Sequence, residues 1–385
     1  MEFVACYATS LVFWYWCFVG PALLLAFLSL RGERKRAAYV ERRLAETPHD
    51  LPPVSVIVPV KGSDHELKQN LAALAAQDYP DFELIVAART AADIPPGVLP
   101  QKVHVVLAGA DDSSASEKVQ NLRAAVAATR KRSQVYAFAD SDGRVTPRWL
   151  RSLVAPLAEK GVGASTGFRW YAPIPPTFWT LLRSVWDAVA LGQLGPGDCA
   201  FAWGGAMAIR RETFHELDIR GRWKDAVSDD YTLSAAIHGA GLTIAFAPGA
   251  LVPSLEAAPA GQLFAWMRRQ MTITRVYNPR LWWLALVAHI FYCGGMAASI
   301  VASVMGSRLA EWALLAQLSP GMLKGLNRAT LAKAALPEYE AWFKRHQWVH
   351  AIWIPLATWL WLAVLVASGF ANTIRWRGRE YRLKK

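Results

Sequence analysis

Asp140-Ser141-Asp142 follows an apolar run, Val135 to Ala139, and precedes Gly143. In an extended segment alternate side chains share a face, so Asp140 and Asp142 can address one ligand. Two carboxylates aimed at one point need a cation or a proton between them. At the carboxyl end of a strand in an open α/β sheet, that cation is usually a hard divalent ion already holding phosphate oxygens. A nucleoside diphosphate is therefore the first ligand to consider; an ordinary strand-to-turn exit is the alternative that the same residue types allow. A second acidic pair, Asp229-Asp230, opens a predicted helix ahead of Tyr231-Thr232-Leu233. Acidic pairs at helix starts commonly serve as caps and complement the dipole. If one of the two is the cap, the other is free to act on a substrate.

These groups need a frame. Val54 to Val60 reads as a buried strand, Asp64 to Gln77 as a helix, Phe82 to Ala88 and Val103 to Leu107 as strands. Ser116 can cap a helix running to about Arg130, Gln134 to Ala139 is the strand that ends in the acidic triplet, and Pro147 opens another helix. Strands alternating with helices imply a parallel sheet with helices on both faces, an α/β fold. Ligands of such sheets bind beyond the carboxyl ends of the strands. Lys61-Gly62-Ser63-Asp64 and the triplet both fall there. The Gly204-Gly205 pair permits close backbone approach to a ligand or to another strand.

The apolar residues concentrate at the two ends of this 385-residue chain. Phe3 to Leu30 carries no charged side chain and is long enough to cross a bilayer. Its length and the lack of a clear cleavage site favour a retained anchor over a cleaved signal. Leu281 to Met305 and Ala351 to Phe370 read as two further spans. Basic clusters at 31–43 and 375–385 place residues 31–280 and the tail in the cytoplasm. The intervening segment 306–350 carries several basic residues and reads as interfacial or re-entrant. Gly261 to Val276 reads as a basic amphipathic helix on the membrane surface, whose Arg268, Arg269 and Arg275 suit a diphosphate or lipid headgroups alike. The net charge of +12 raises nucleic acid as a partner. Much of that excess flanks the spans, where it faces anionic lipid, so no nucleic-acid partner is expected. Cys6, Cys17, Cys199 and Cys293 show no metal spacing and no disulfide framework.

In order, the chain carries an N-terminal anchor, Lys61-Gly62-Ser63-Asp64, Glu117-Lys118-Val119-Gln120-Asn121-Leu122, Asp140-Ser141-Asp142, Gly204-Gly205-Ala206, Asp229-Asp230-Tyr231 and two C-terminal spans. This resembles the membrane-bound inverting glycosyltransferases of GT-A fold, families 2 and 21. It is most similar to the ceramide glucosyltransferases and the bacterial enzymes that glycosylate hopanoids. The tail Trp376-Arg377-Gly378-Arg379-Glu380-Tyr381-Arg382 resembles the tails of such enzymes. The resemblance implies an N-terminal anchor at 1–30, a basic linker at 31–50, a GT-A domain at 51–260, an interfacial helix at 261–280, a membrane region at 281–372 and a cytoplasmic tail. It implies that Asp140 and Asp142 form the DxD element that holds the donor ribose and a Mg²⁺- or Mn²⁺-bound diphosphate. Asp230 would be the general base, and Lys118 and Asn121 would line the donor site with Lys61, Asp64, Asp229 and Arg269.

Two positions depart from the family pattern. Its nucleotide-binding aspartate after the second strand is replaced by Ala87-Ala88-Arg89-Thr90, with Asp93 nearby. Its (Q/R)xxRW element keeps Arg269, but Thr272-Ile273 stands where Arg-Trp is expected. The implied activity is transfer of a hexose from a UDP-sugar, UDP-glucose first, to the hydroxyl of a membrane lipid such as ceramide. Hopanoid or N-acetylglucosaminyl transfer is the alternative within the class, and a non-catalytic membrane scaffold the alternative outside it. The expected setting is a bacterial inner membrane with the catalytic domain in the cytoplasm.

Overall fold

The computed structural model describes residues 2–383 except 47, 49, 111–113 and 258, and of residues 2–11 the backbone alone. The chain opens on one long helix, α1 (Glu2–Ala45). The sequence assigns 31–50 to a basic linker after the apolar stretch; most of that segment is helical, since α1 continues to Ala45. The charged residues dock rather than fray. Arg36 pairs with Glu33 at 2.6 Å and donates to the carbonyls of Leu194 and Gly192, and Tyr39 Oη donates to the carbonyl of Phe246 at 2.6 Å. The second half of α1 is thereby packed against the sheet domain.

Seven strands form one sheet: β1 (Val54–Pro59), β2 (Phe82–Ala88), β3 (His104–Leu107), β4 (Val135–Ala139), β5 (Val162–Tyr171), β6 (Ala206–Arg210) and β7 (Thr243–Ser254), in the order β3-β2-β1-β4-β6-β5-β7. β6 runs antiparallel to both neighbours, and every other pairing is parallel. Alternate residues of β1 feed opposite cores: Ile57 packs with Ile85 and Phe138, while Val54, Val56 and Val58 pack with Leu71 and Trp149. This two-sided burial explains the unbroken apolar strands of the sequence. The helices of this half are α2 (Leu67–Ala75), α3 (Glu117–Ala127) and α4 (Trp149–Val154). The helix expected from Asp64 starts only at Leu67, because Glu66 adopts a left-handed φ of 54° and the residues before it form a loop.

Beyond β5 come α5 (Phe178–Ala188), the short α6 (Arg211–Glu216) and α7 (Ile219–Arg222), and α8 (Asp229–Gly239). Then α9 (Ala260–Tyr277) leads into α10 (Pro279–Val304), whose Asn278 cap and Pro279 suit a helix start. Among the described residues, α1 and α10 are long and apolar enough to cross a membrane. They run side by side in opposite directions, with Tyr15 Oη 3.3 Å from Ser299 Oγ.

Most of the segment expected to be interfacial or re-entrant forms α11 (Arg308–Ala335), which returns along α1. Two of its basic residues find partners on α1: Lys324 Nζ donates to Ser29 Oγ at 2.6 Å, and Arg328 donates to Glu33, as does the neutral Asn327. Hydropathy cannot anticipate such pairing. The expected third span, 351–370, takes in the end of α13 (Val349–Ile352), which follows α12 (Glu340–His346), and all of α14 (Ile354–Ser368), an apolar helix of 15 residues. Gly325 is required where α11 meets α13, since a Cβ there would lie 1.7 Å from the His350 carbonyl oxygen. The chain ends in a hairpin of β8 (Thr373–Trp376) and β9 (Arg379–Arg382) that folds back on the catalytic domain.

Candidate active site

β1 and β4 deliver their following loops to the same edge of the sheet, and the Gly204-Gly205 turn ahead of antiparallel β6 arrives beside them. Gly205 O accepts from Asp140 N at 3.4 Å. β4 ends at Ala139, and Ser141 and Asp142 already lie in the turn that follows it. Asp140 and Asp142 point one way, while Ser141 Oγ donates to Asp64 Oδ2 at 2.5 Å on the other side. Both carboxylates converge on Arg169, from β5: its Nη2 lies 3.1 Å from Asp140 Oδ2, and it grips Asp142 through both terminal nitrogens at 2.6 and 2.8 Å. Burial alone would raise Asp142, but the Arg169 guanidinium outweighs it and holds the carboxyl below the usual range.

Lys118, in the first turn of α3, links the two acidic motifs. Its ammonium lies 3.0 Å from Asp140 Oδ1 and 3.2 Å from Asp229 Oδ2. Burial opposes its charge, and Asp140, Asp229 and Asp230 together overcome that. Asp229 is pushed up to about 6 by burial, with Lys118 opposing the rise.

The N-cap residue is neither aspartate but Ser228, whose Oγ accepts from Tyr231 N and shares that donor with Asp230 Oδ1. Asp229 is buried against Lys118, whereas Asp230 faces the cavity. Asp230 Oδ2 accepts from Gly204 N at 3.2 Å, and Oδ1 accepts from Tyr231 N at 2.7 Å and from Ser228 Oγ. Three donors fix the orientation of that carboxylate. Gly204 is needed for this approach, since a Cβ would lie 2.5 Å from Asp229 Oδ2.

The remaining expected residues line the same cavity of about 1350 Å³. Lys61 pairs with Glu117 at 2.8 Å. Asn121 Oδ1 is buried with no hydrogen-bond partner, an acceptor left for a ligand donor. Asp93 lies at the rim, its carboxylate accepting from Thr90 N and Oγ1 at 2.9 and 2.8 Å. Arg269 sits 5.7 Å from the centre of the Trp376 ring, and burial lowers its pKa. The structure therefore brings all the expected site residues to one chamber.

Sequence reasoning missed Arg169, Asp187 and the tail. A lone arginine inside the otherwise uncharged strand Val162–Tyr171 was the available signal for the first. Asp187, on α5, faces the enclosed cavity rather than bulk solvent, and burial pushes it up to about 7 against the pull of Arg169 and Arg183. From this polar chamber the cavity extends among α1, α9, α10 and α14, where Leu25, Trp266, Leu284, Ala288 and Trp361 form its wall. Trp186 and Trp361 stack there with ring centres 4.3 Å apart.

Asp140 and Asp142 can share a cation, as their common contact with the Arg169 guanidinium shows, and a divalent ion held there would have to take the place of that guanidinium. Among the described residues no group of three or more His, Cys, Asp or Glu side chains could hold a metal. The protein thus supplies two carboxylates, and a diphosphate and waters would complete the shell, as is usual for Mg²⁺.

The overall fold is that of a mannosyltransferase from Pyrobaculum calidifontis solved with GDP-mannose and Mn²⁺, with a TM-score of 0.52 at 19% identity over 92% of this chain and 99% of that one. Glucosyl-3-phosphoglycerate synthase from Mycobacterium tuberculosis, solved with Mn²⁺, UDP-glucose and phosphoglyceric acid, is a more distant likeness: a TM-score of 0.40 and 20% identity over 61% of this chain and 81% of that one. No curated protein matches the chain. The family model of glycosyl transferase family 21 matches residues 15–385, and the chain belongs to that family of GT-A glycosyltransferases.

Proposed function

We propose that this glycosyltransferase moves a hexose from a UDP-sugar, UDP-glucose first, to the hydroxyl of a membrane lipid such as ceramide, inverting the anomeric centre. The observation that carries this reading is the continuity of the cavity. One end holds the carboxylates, Lys118 and Arg169, and the other opens between the apolar helices. A sugar nucleotide from water and a hydroxyl from the bilayer can meet at Asp230. A soluble acceptor would need no apolar arm.

Inversion by direct displacement needs one base and no enzyme nucleophile. Asp230 suits the base: its carboxylate is held rigidly, half-exposed to the cavity and next to the acidic triplet. Lys118 and Arg169 place fixed positive charge where the leaving diphosphate gains negative charge, in a site partly shielded from water. A Mg²⁺ or Mn²⁺ ion bound at Asp140 and Asp142 would supply Lewis-acid stabilisation of that leaving group. The tail and the catalytic domain share one side of the membrane, since the hairpin bonds directly to the domain. The basic residues flanking the apolar helices favour the cytoplasmic side, where sugar nucleotides are available.

Lipid mass spectrometry of cells with and without the protein tests the reading. The expected result is one lipid class gaining a hexose only when the protein is present. An unchanged lipid profile, with hexose appearing in a water-soluble product, would contradict it.

A further inference from the structure

The sequence places the basic tail at lipid headgroups; the structure places it on the donor end of the cavity. We propose that the C-terminal hairpin completes the donor site, with the Arg377 guanidinium at its turn serving as a diphosphate-binding group. This rests on the sugar-nucleotide reading above.

Three walls of the donor chamber are tied together by the hairpin. Arg377 donates to the carbonyl of Lys61 and to Asp64 Oδ1, both at 2.5 Å, in the loop after β1. Arg379 Nε lies 3.1 Å from Glu117 Oε2, and Tyr381 Oη accepts from Glu117 N at 3.4 Å, at the start of α3. Trp376 carries the Arg269 guanidinium of α9 over its ring. Arg375, Trp376, Arg377 and Tyr381 all contribute to the lining of the cavity.

The turn itself is costly. Arg377 has a φ of 47° and Gly378 one of 79°, so a non-glycine residue occupies the left-handed region. L-residues rarely adopt that conformation. A glycine would serve the turn better, and the arginine is held there by its two contacts on the far side of the chamber.

Charge gives the reason. Without the hairpin, the wall formed by the β1 loop and the start of α3 sets two carboxylates, Asp64 and Glu117, against two ammoniums, Lys61 and Lys118, and Lys118 is itself held by Asp140 and Asp229. It offers no net positive charge to a ligand carrying two or more negative charges. Arg377 and Arg379 add two guanidiniums and turn the wall to a positive excess. Arginine suits this task because its planar fork can hold a phosphate and a carboxylate at once. Arg377 keeps about a third of its side chain exposed, at 34%, and so retains donors for a ligand.

The test uses the full-length protein in detergent, with UDP, GDP and UMP as calorimetric probes. Arg377→Gly is the main variant, since glycine keeps the turn, and Arg382→Ala, outside the chamber, is the control. The expected result is UDP binding weakened about tenfold or more in Arg377→Gly, the scale of one lost charged hydrogen bond. UMP binding should change less than threefold, and Arg382→Ala should match the wild type. Partial recovery of UDP affinity in Arg377→Lys would support the proposal further. Unchanged UDP affinity in Arg377→Gly would overturn the proposal and leave the donor reading standing. Equal weakening of UDP and UMP would also overturn it, as the mark of a purely structural hairpin. A wild-type protein that binds neither UDP nor GDP would overturn the donor reading itself, and this proposal with it.

Discussion

Replacing Asp230 by Asn separates a base from a structural acceptor. The carboxylate accepts from Gly204 N, Tyr231 N and Ser228 Oγ, so Asn cannot be silent. The better orientation puts the amide oxygen at the Oδ1 position, where it keeps two donors. The amide nitrogen then faces Gly204 N, originally 3.2 Å from Oδ2, as donor against donor. One unpaired backbone N–H costs about 1–3 kcal/mol. The fold therefore survives with a melting point lower by a few degrees. Losing a general base lowers transfer by about 10²–10⁴-fold. Asp230→Asn should thus keep UDP affinity within a few-fold while kcat collapses, a loss too large to come from the lost N–H contact alone. Asp229→Asn is the internal control. It removes a charge from Lys118, 3.2 Å away, but no group that faces the acceptor, so it should act mainly on donor binding. The assay is kcat for hexose transfer beside calorimetric UDP binding for both variants. Transfer within tenfold of wild type in Asp230→Asn, or a collapse confined to Asp229→Asn, would refute the assignment.

Asp142→Ala should abolish metal-dependent UDP binding, measured with and without Mg²⁺ or Mn²⁺; a metal response equal to the wild type would remove the triplet from the metal site. Asp187 should make stability fall as pH rises. Its folded-state pKa of about 7 lies above the unfolded carboxylate range, so its neutral form stabilises the fold below that range and the benefit is lost as pH climbs through about 7. Asp187→Asn should flatten the melting curve between pH 5 and 8, and an unchanged slope would contradict the burial argument. A cysteine at Lys131, on an exposed turn, should label only from the cytoplasmic side; nearby Ser133 is buried and unsuitable. Trp361→Ala, which removes the stack on Trp186, should raise the KM for lipid more than that for the sugar nucleotide, and equal changes would argue against an apolar acceptor arm.

Much of the sheet was legible because its strands are buried on both faces and therefore apolar without interruption. The acidic motifs were legible because Asp140 and Asp142, just past an apolar strand, can address one point. What escaped the sequence depended on partners distant along the chain. Lys324 and Arg328 look unfit for a helix in an apolar bundle until Ser29 and Glu33 are seen beside them. Arg169 reads as a stray charge until the strand order sets it against a triplet 27 residues earlier. The helical continuation through the basic linker was not visible, since hydropathy stops at Leu30 while α1 runs to Ala45. The tail reads as a cluster of positive charge, and only its contacts with Lys61, Asp64 and Glu117 reveal a folded hairpin. At Asp229-Asp230 both local options were visible, but the cap proved to be the serine just before them.

The most direct measurement follows labelled glucose from UDP-glucose in vesicles that contain the purified protein and a hydroxyl-bearing lipid such as ceramide. The account predicts that the label enters the lipid as a β-glycoside and that Asp230→Asn stops this while UDP binding persists. Label recovered only as free glucose, or in a lipid α-glycoside, would contradict it.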